Sequence, residues 1–291
     1  MTIPTCDAAE PFPLSPKAKL PNNATDTHAH VFSSLSRYPY TSNRTYTPPD
    51  APVGAYLHLH QQLGIDRGVL VQPSVYGTDN RLQSDTLRYL RGLGKAYKGV
   101  AVVDADVTDE SLDQLSDSGH CGVRMNLLFK GGISWDEVSR LAVRLADRNW
   151  HVQFLIDVSE FVDLEKRIAS LPLPVVIDHM GHMPCGKGIN NPGFQSLLRL
   201  LEKGDTWVKL SGAYRISQEK HAPYQDVMPF AQALIHANPD RCLWGSDWPH
   251  PHFSKPMPND KDLIDSLFDW TSEEEIIQKI LVDNPTHLYQ L

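Results

Sequence analysis

Short apolar runs alternate with amphipathic stretches along most of this chain. Helical spacing over 55–63 leads into the apolar run 68–73. The spacing then predicts a helix over 79–93, with Leu82, Leu87, Leu90 and Leu93 as its apolar stripe. Further apolar runs follow at 99–104, 122–127, 150–156, 174–179, 207–211 and 242–247. Helical patterns separate them at 110–116, 134–148, 160–170, 194–201 and 226–237. Ser134, with Glu137 three residues on, has capping-box spacing. The tail, 263–291, reads as mostly helical. Counting 26–30 as the first, there are eight short strands, most followed by a helix. Such alternation specifies a parallel sheet, and eight repeats at this length specify a closed (β/α)8 barrel. A doubly wound sheet would want a Gly-rich phosphate turn after its first strand; His28-Ala29-His30 stands there instead.

Two segments lack the rhythm. Residues 1–23 carry Pro4, Pro11, Pro13, Pro16 and Pro21 and read as an extended arm, set apart from a barrel over 24–291. Residues 32–52 read as a long loop. A loop of that length in a compact domain is typically a lid or wall of a site.

The barrel gives the polar residues a place. His28, His30, Gln72, Ser74, Asp104, Arg124, Asn126, His179, Ser211 and Asp247 all fall where strands end, and barrel enzymes carry their sites at that C-terminal rim. In a strand, His28 and His30 share a side, about 7 Å apart along it. Strand eight neighbours strand one in a closed barrel, which brings Asp247 to both histidines. Two imidazoles and a carboxylate can share a metal or polarise a substrate oxygen. The bland alternative, packed core histidines, fits His28-Ala29-His30 alone about as well. It does not account for polar groups gathering at the ends of seven of the eight strands.

Composition narrows the partners. Charge is 27 − 35 = −8, with no Lys/Arg run to hold a nucleic-acid backbone or an anionic membrane. No apolar run approaches a membrane span. Cys6, Cys121, Cys185 and Cys242 are scattered, which suits free thiols in a reducing compartment. The first 23 residues have no apolar core typical of a signal peptide, so a cytoplasmic protein is expected.

The motifs Asp26-Thr27-His28-Ala29-His30, Val176-Ile177-Asp178-His179-Met180-Gly181 and Trp244-Gly245-Ser246-Asp247-Trp248-Pro249-His250 resemble the lactonase branch of the amidohydrolase superfamily. Val71-Gln72-Pro73-Ser74, Gly77-Thr78-Asp79-Asn80, Gly122-Val123-Arg124-Met125-Asn126 and Asn284-Pro285 extend the resemblance over nearly the whole chain. The resemblance implies that Asp247, His179, His28 and His30 are catalytic, and that Arg124 and Arg215 bind substrate carboxylates. His182 and Lys130 stand where the pyrone-dicarboxylate lactonases have arginines. Lys130 holds a carboxylate as a point charge, without the bidentate fork. Asn126, Ser74, Tyr76, Tyr214, Trp248 and His250 complete the expected pocket. For Trp248, rim packing is an equal alternative. His58 and His60 read as helix surface or packing residues.

The strand-five metal histidine of many superfamily members has no counterpart; Leu155 is the nearest inward residue. The expectation is therefore an enzyme with no obligatory cofactor. One zinc ion on His28, His30, His179 and Asp247 is the allowed addition. The implied reaction is opening of a small carboxylated lactone of pyrone-dicarboxylate or muconolactone type in aromatic catabolism, with Asp247 as general base and then acid. The alternatives are a lactone isomerase or a metal-dependent non-oxidative decarboxylase. A homo-oligomer, with the proline-rich arm as a candidate contact, is also an expectation.

Overall fold

The computed structural model describes residues 3–33, 35–127, 135–161, 163–253 and 255–291. Eight parallel strands form one sheet in sequence order: β1 (Thr25–Ala29), β2 (Arg67–Val71), β3 (Tyr97–Ala101), β4 (His120–Asn126), β5 (His151–Leu155), β6 (Val175–Ile177), β7 (Thr206–Leu210) and β8 (Cys242–Trp244). β8 continues past its last strand residue to meet β1. Asp247 N–H donates to His28 O at 2.7 Å, and His30 N–H donates to Trp248 O at 2.7 Å. The barrel is thus nearly closed, and the first-strand histidines and Asp247 lie side by side as expected.

The strands are buried on both faces, which explains their near-continuous apolar runs. Val69, Val71, Val100, Val176, Trp207 and Leu243 form one buried cluster with Leu288 and Tyr289 of the last helix. Outside lie α1 (Val53–Leu63), α2 (Arg81–Gly92), α3 (Asp109–Ser118), α4 (Trp135–Ala146), α5 (Leu164–Ala169), α6 (Pro192–Lys203), α7 (Ala213–Ile216) and α8 (Met228–Ala237). The tail adds α9 (Asp260–Trp270), α10 (Glu274–Gln278), a π-helical turn (Lys279–Asp283) and α11 (Asn284–Tyr289).

Several expected boundaries shift for local reasons. The helix expected over 160–170 splits, because the Asp157 side chain accepts Ser159 N–H and caps a separate 3-10 turn, Val158–Glu160. The segment expected to begin a helix at 226 starts with a 3-10 turn, Gln225–Val227. Leu93 leaves the stripe: α2 stops at Gly92, and Leu93 is 51% exposed. Ser134 lies outside the described residues, so its expected cap does too.

The proline-rich arm lies along its own chain. Thr5 bridges Thr47, and Leu14 N–H and Lys17 N–H donate to Asn259 and Asp265. The long loop it touches is pinned at its ends by paired Phe32 and Ala51, whose N–H groups each donate to the other's carbonyl.

Candidate active site

At the C-terminal rim a cavity of about 410 Å³ is lined by His30, Tyr46, Ser74, Arg124, Asn126, Leu155, His179, His182, Tyr214, Arg215, Asp247 and Lys255, among others. A concavity of about 700 Å³ on another part of the surface is lined by Trp150, Pro172, Trp207 and Arg241, with none of the expected site residues.

Asp247 stands at the floor. Its φ of 64° turns the chain sharply just after β8, and its carboxylate is fully buried. Oδ2 accepts from Arg215 Nε at 2.5 Å and Tyr214 OH at 2.6 Å. Oδ1 makes no hydrogen bond. It faces His30 Nε2 at 3.6 Å and His28 Nε2 at 3.8 Å. Burial alone would raise this acid; the Arg215 guanidinium outweighs it and holds the carboxyl well below the usual range. Asp247 is therefore a carboxylate at neutral pH with one oxygen held and one available.

The histidines are neutral. Burial pushes His28 down to about 3 and also lowers His30 and His179. His30 Nδ1–H donates to Val71 O at 2.7 Å, which leaves Nε2 as the lone-pair nitrogen facing Asp247. His179 follows β6 with φ 51°, and its Nδ1 meets Ser211 Oγ at 2.9 Å. Gly212 is needed there: with φ +62°, a Cβ would stand 2.8 Å from His179 Nδ1.

Beneath these groups is a buried polar layer. Asp178 Oδ2 accepts from Arg124 Nε at 2.9 Å and Gln153 Nε2 at 3.1 Å. Lys209 Nζ donates to Thr27 O and Gln153 Oε1, both at 2.7 Å, and lies 3.3 Å from His28 Nδ1 and 3.8 Å from Asp178 Oδ1. Burial lowers Lys209 to about 8, and the nearby Asp178 carboxylate opposes the shift. Asp26 ties β1 to β8, accepting His28 N–H, Ser246 N–H and Ser246 O–H.

Not every expected residue reaches the cavity. Tyr76 stacks on Phe32 and takes Ser33 N–H on its hydroxyl. Trp248 stacks on Tyr56, the packing alternative. His250 is buried behind Tyr214, with Nδ1 3.0 Å from its hydroxyl and Nε2 3.1 Å from Asp260. Gln72 holds the carbonyls of Gly77 and Asp79, and Asp104 is exposed. His60 is buried against Tyr97 and Asp26, whereas His58 is exposed. Lys130 lies outside the described residues. His182 lines the wall, lowered to about 4 by burial.

Sequence reasoning assigned no role to Gln153, Lys209, Asp178, Tyr46 or Lys255. A lone polar letter in an apolar strand was the available signal for Gln153 and Lys209. Tyr46 comes from the long loop, which thus supplies a wall. Lys255 donates to Tyr214 O, Ser217 O and Glu219 O, fixing the segment that carries Arg215.

His28, His30 and Asp247 bring one ligand atom each within 4.8 Å, as do His28, Asp178 and His179. His28 Nε2 and Asp247 Oδ1 are buried without a hydrogen bond. These residues fit a divalent ion, on condition that His28 presents Nε2 as a lone pair.

Three curated relatives frame these observations. The chain is 38% identical over 288 residues to a 2-pyrone-4,6-dicarboxylate hydrolase of Comamonas testosteroni, covering 95% of this chain and 93% of that protein. It is 37% identical over 275 residues to a 4-sulfomuconolactone hydrolase of Hydrogenophaga intermedia, covering 93% and 89%. A D-galactarolactone isomerase of Agrobacterium fabrum is 30% identical over 281 residues, covering 95% and 94%. Residues 25–291 match the amidohydrolase family along the barrel, and the chain belongs to that family.

Proposed function

We propose that this enzyme opens the ester ring of a small carboxylated lactone by adding water, with Asp247 as general base and then general acid. The observation that carries this reading is the divided Asp247 carboxylate. Oδ2 is held by Arg215 and Tyr214, and Oδ1 is left without a hydrogen bond between two neutral imidazoles at the cavity floor. A carboxylate so held can take a proton from water and return it to the leaving oxygen. Imidazole N–H groups at its side can donate to the carbonyl oxygen as charge develops. Arg124 and Arg215 give the wall of an otherwise acidic protein a cationic face, which suits a carboxylate on the substrate. The two hydrolase relatives at 37% and 38% identity support a lactone of pyrone-dicarboxylate or muconolactone type. A divalent ion on His28, His30 and Asp247, when bound, would polarise the lactone carbonyl and acidify water.

The second reading is an isomerase that moves the lactone's acyl group without consuming water; the 30% relative favours it. The test is proton release, read with a pH indicator, on a panel of mono- and dicarboxylated five- and six-membered lactones, followed by product mass. A product heavier by one water supports the lactonase. Unchanged mass with a rearranged ring replaces it with the isomerase, and no reaction across the panel removes both.

A further inference from the structure

His28 Nδ1 lies between two groups that ask opposite things of it. Lys209 Nζ is 3.3 Å away, and so is Asp178 Oδ1. An ammonium has three protons and accepts nothing. Thr27 O, Gln153 Oε1 and His28 Nδ1 lie within hydrogen-bond distance of Lys209 Nζ, and Asp178 Oδ1 lies beyond it at 3.8 Å, an ion pair that favours the ammonium. All three side chains of this contact, Lys209, Gln153 and His28, are fully buried, so no bulk water competes. Asp178 is already served on Oδ2 by Arg124 and Gln153, whereas its Oδ1 takes no hydrogen bond despite its nearness to the ring.

We infer that Lys209 is a positioning residue that fixes neutral His28 as the Nε2–H tautomer. A neutral imidazole carries one proton and one in-plane lone pair. With the Nδ1 lone pair held by Lys209, the proton sits on Nε2, the nitrogen that faces Asp247 Oδ1 at 3.8 Å. His28 then differs from His30. His30 donates from Nδ1 to Val71 O and turns a lone pair to the site, whereas His28 turns an N–H. The site therefore holds one donor and one acceptor imidazole beside the same carboxylate oxygen.

A consequence follows for metals. To bind a divalent ion on Nε2, His28 must move its proton to Nδ1, give up Lys209 and donate to Asp178. The ion must also bear the nearby ammonium charge. Lys209 thus weakens the very site that His28, His30 and Asp247 outline. The inference rests on these contacts and is independent of which lactone, if any, is turned over.

The test has two readouts, neither of them activity. In the wild-type chain labelled with 15N-histidine, stripped of metal, the His28 signals are assigned by their loss in His28→Gln. The expected pattern is a protonated Nε2 and an unprotonated Nδ1; a protonated Nδ1 overturns the inference without any Lys209 variant. Zinc affinity is then measured by competition with a chromogenic chelator. Lys209→Met is expected to bind zinc about 10-fold more tightly or better, the scale of partners that orient a metal-binding histidine. Adding Asp178→Asn should remove most of that gain. A folded Lys209→Met that binds zinc no more tightly than wild type overturns the inference. If Lys209→Met does not fold, the wild-type tautomer alone decides.

Discussion

Replacing Asp247 with Asn separates the charge of this carboxylate from its shape. An Asn side chain can set its oxygen where Oδ2 stands and keep the donors at 2.5 Å and 2.6 Å, Arg215 Nε and Tyr214 OH. Its amide then occupies the Oδ1 position, 3.6 Å and 3.8 Å from the two imidazoles. What is lost is basicity at one oxygen and the charge that Arg215 pairs with. Positioned general acid–base groups contribute roughly 10²–10⁴ in rate, about 3–5 kcal/mol of barrier. Breaking a buried ion pair costs about 3–5 kcal/mol of stability. Here the lower end is expected, because the Asn oxygen still accepts from Arg215 and Pro251 O still takes Arg215 Nη2 at 3.1 Å. The variant is therefore expected to fold, with a lower urea midpoint and kcat reduced at least ~10²-fold. Initial proton release at saturating lactone gives kcat, and near-ultraviolet circular dichroism gives the folded fraction. A folded variant with kcat within a few-fold of wild type would refute the general-base assignment.

Three further outcomes are expected. His120 and His151 are buried and held neutral, lowered to about 4 and about 3 by desolvation. As pH falls below the unfolded value near 6.5, the unfolded chain binds protons that the fold excludes, so stability drops; at pH 5 each group takes away about 2 kcal/mol. Urea midpoints measured from pH 7.5 to 5 check this, and a flat profile, or a slope unchanged in His151→Phe, counts against it. Tyr214→Phe removes one donor from Asp247 Oδ2, so the carboxyl rises and the acid limb of kcat/KM should move to higher pH; an unmoved limb would detach Tyr214 from the base. Arg124→Lys keeps the charge near Asp178 but loses the planar fork, and KM for a carboxylated lactone should rise about 10-fold, the scale of a charged hydrogen bond; an unchanged KM would mean that Arg124 serves Asp178 alone.

The barrel was legible because its signal is repeated. Each strand is buried on both faces and flanked by an amphipathic helix, so small boundary errors such as Leu93 do not accumulate. The meeting of Asp247 with His28 and His30 was legible from closure alone, since it needs only that strand eight neighbours strand one. Aromatic neighbours of the rim motifs were harder. Once the chain leaves a regular strand, alternation no longer says which way Tyr76 or Trp248 points, and both turn toward packing partners. The polar layer beneath the site was hidden for another reason. Gln153 and Lys209 are single polar residues inside apolar runs, and their meaning depends on facing one another across β5 and β7 at Asp178. That relation exists in space and has no spacing in sequence.

The depressed Asp247 carboxyl raises a question that the same geometry answers under the lactonase reading. A strongly acidic carboxyl is a weak base, and weak bases transfer protons poorly. The main cause of the depression, Arg215, also stands in the cavity wall. A substrate carboxylate held by the Arg215 Nη groups puts a negative charge beside the guanidinium. That charge offsets the field Arg215 exerts on Asp247, and closing the cavity to water strengthens the effect. The carboxyl then rises only when the substrate is present. The free enzyme keeps its base ionised and held, and the complex makes that base stronger. It follows that a lactone without a carboxylate should lose kcat as well as affinity, because it lacks the charge that relieves Asp247. A neutral analogue with a higher KM but the full kcat of the carboxylated lactone would separate Arg215 from the base and sink this account.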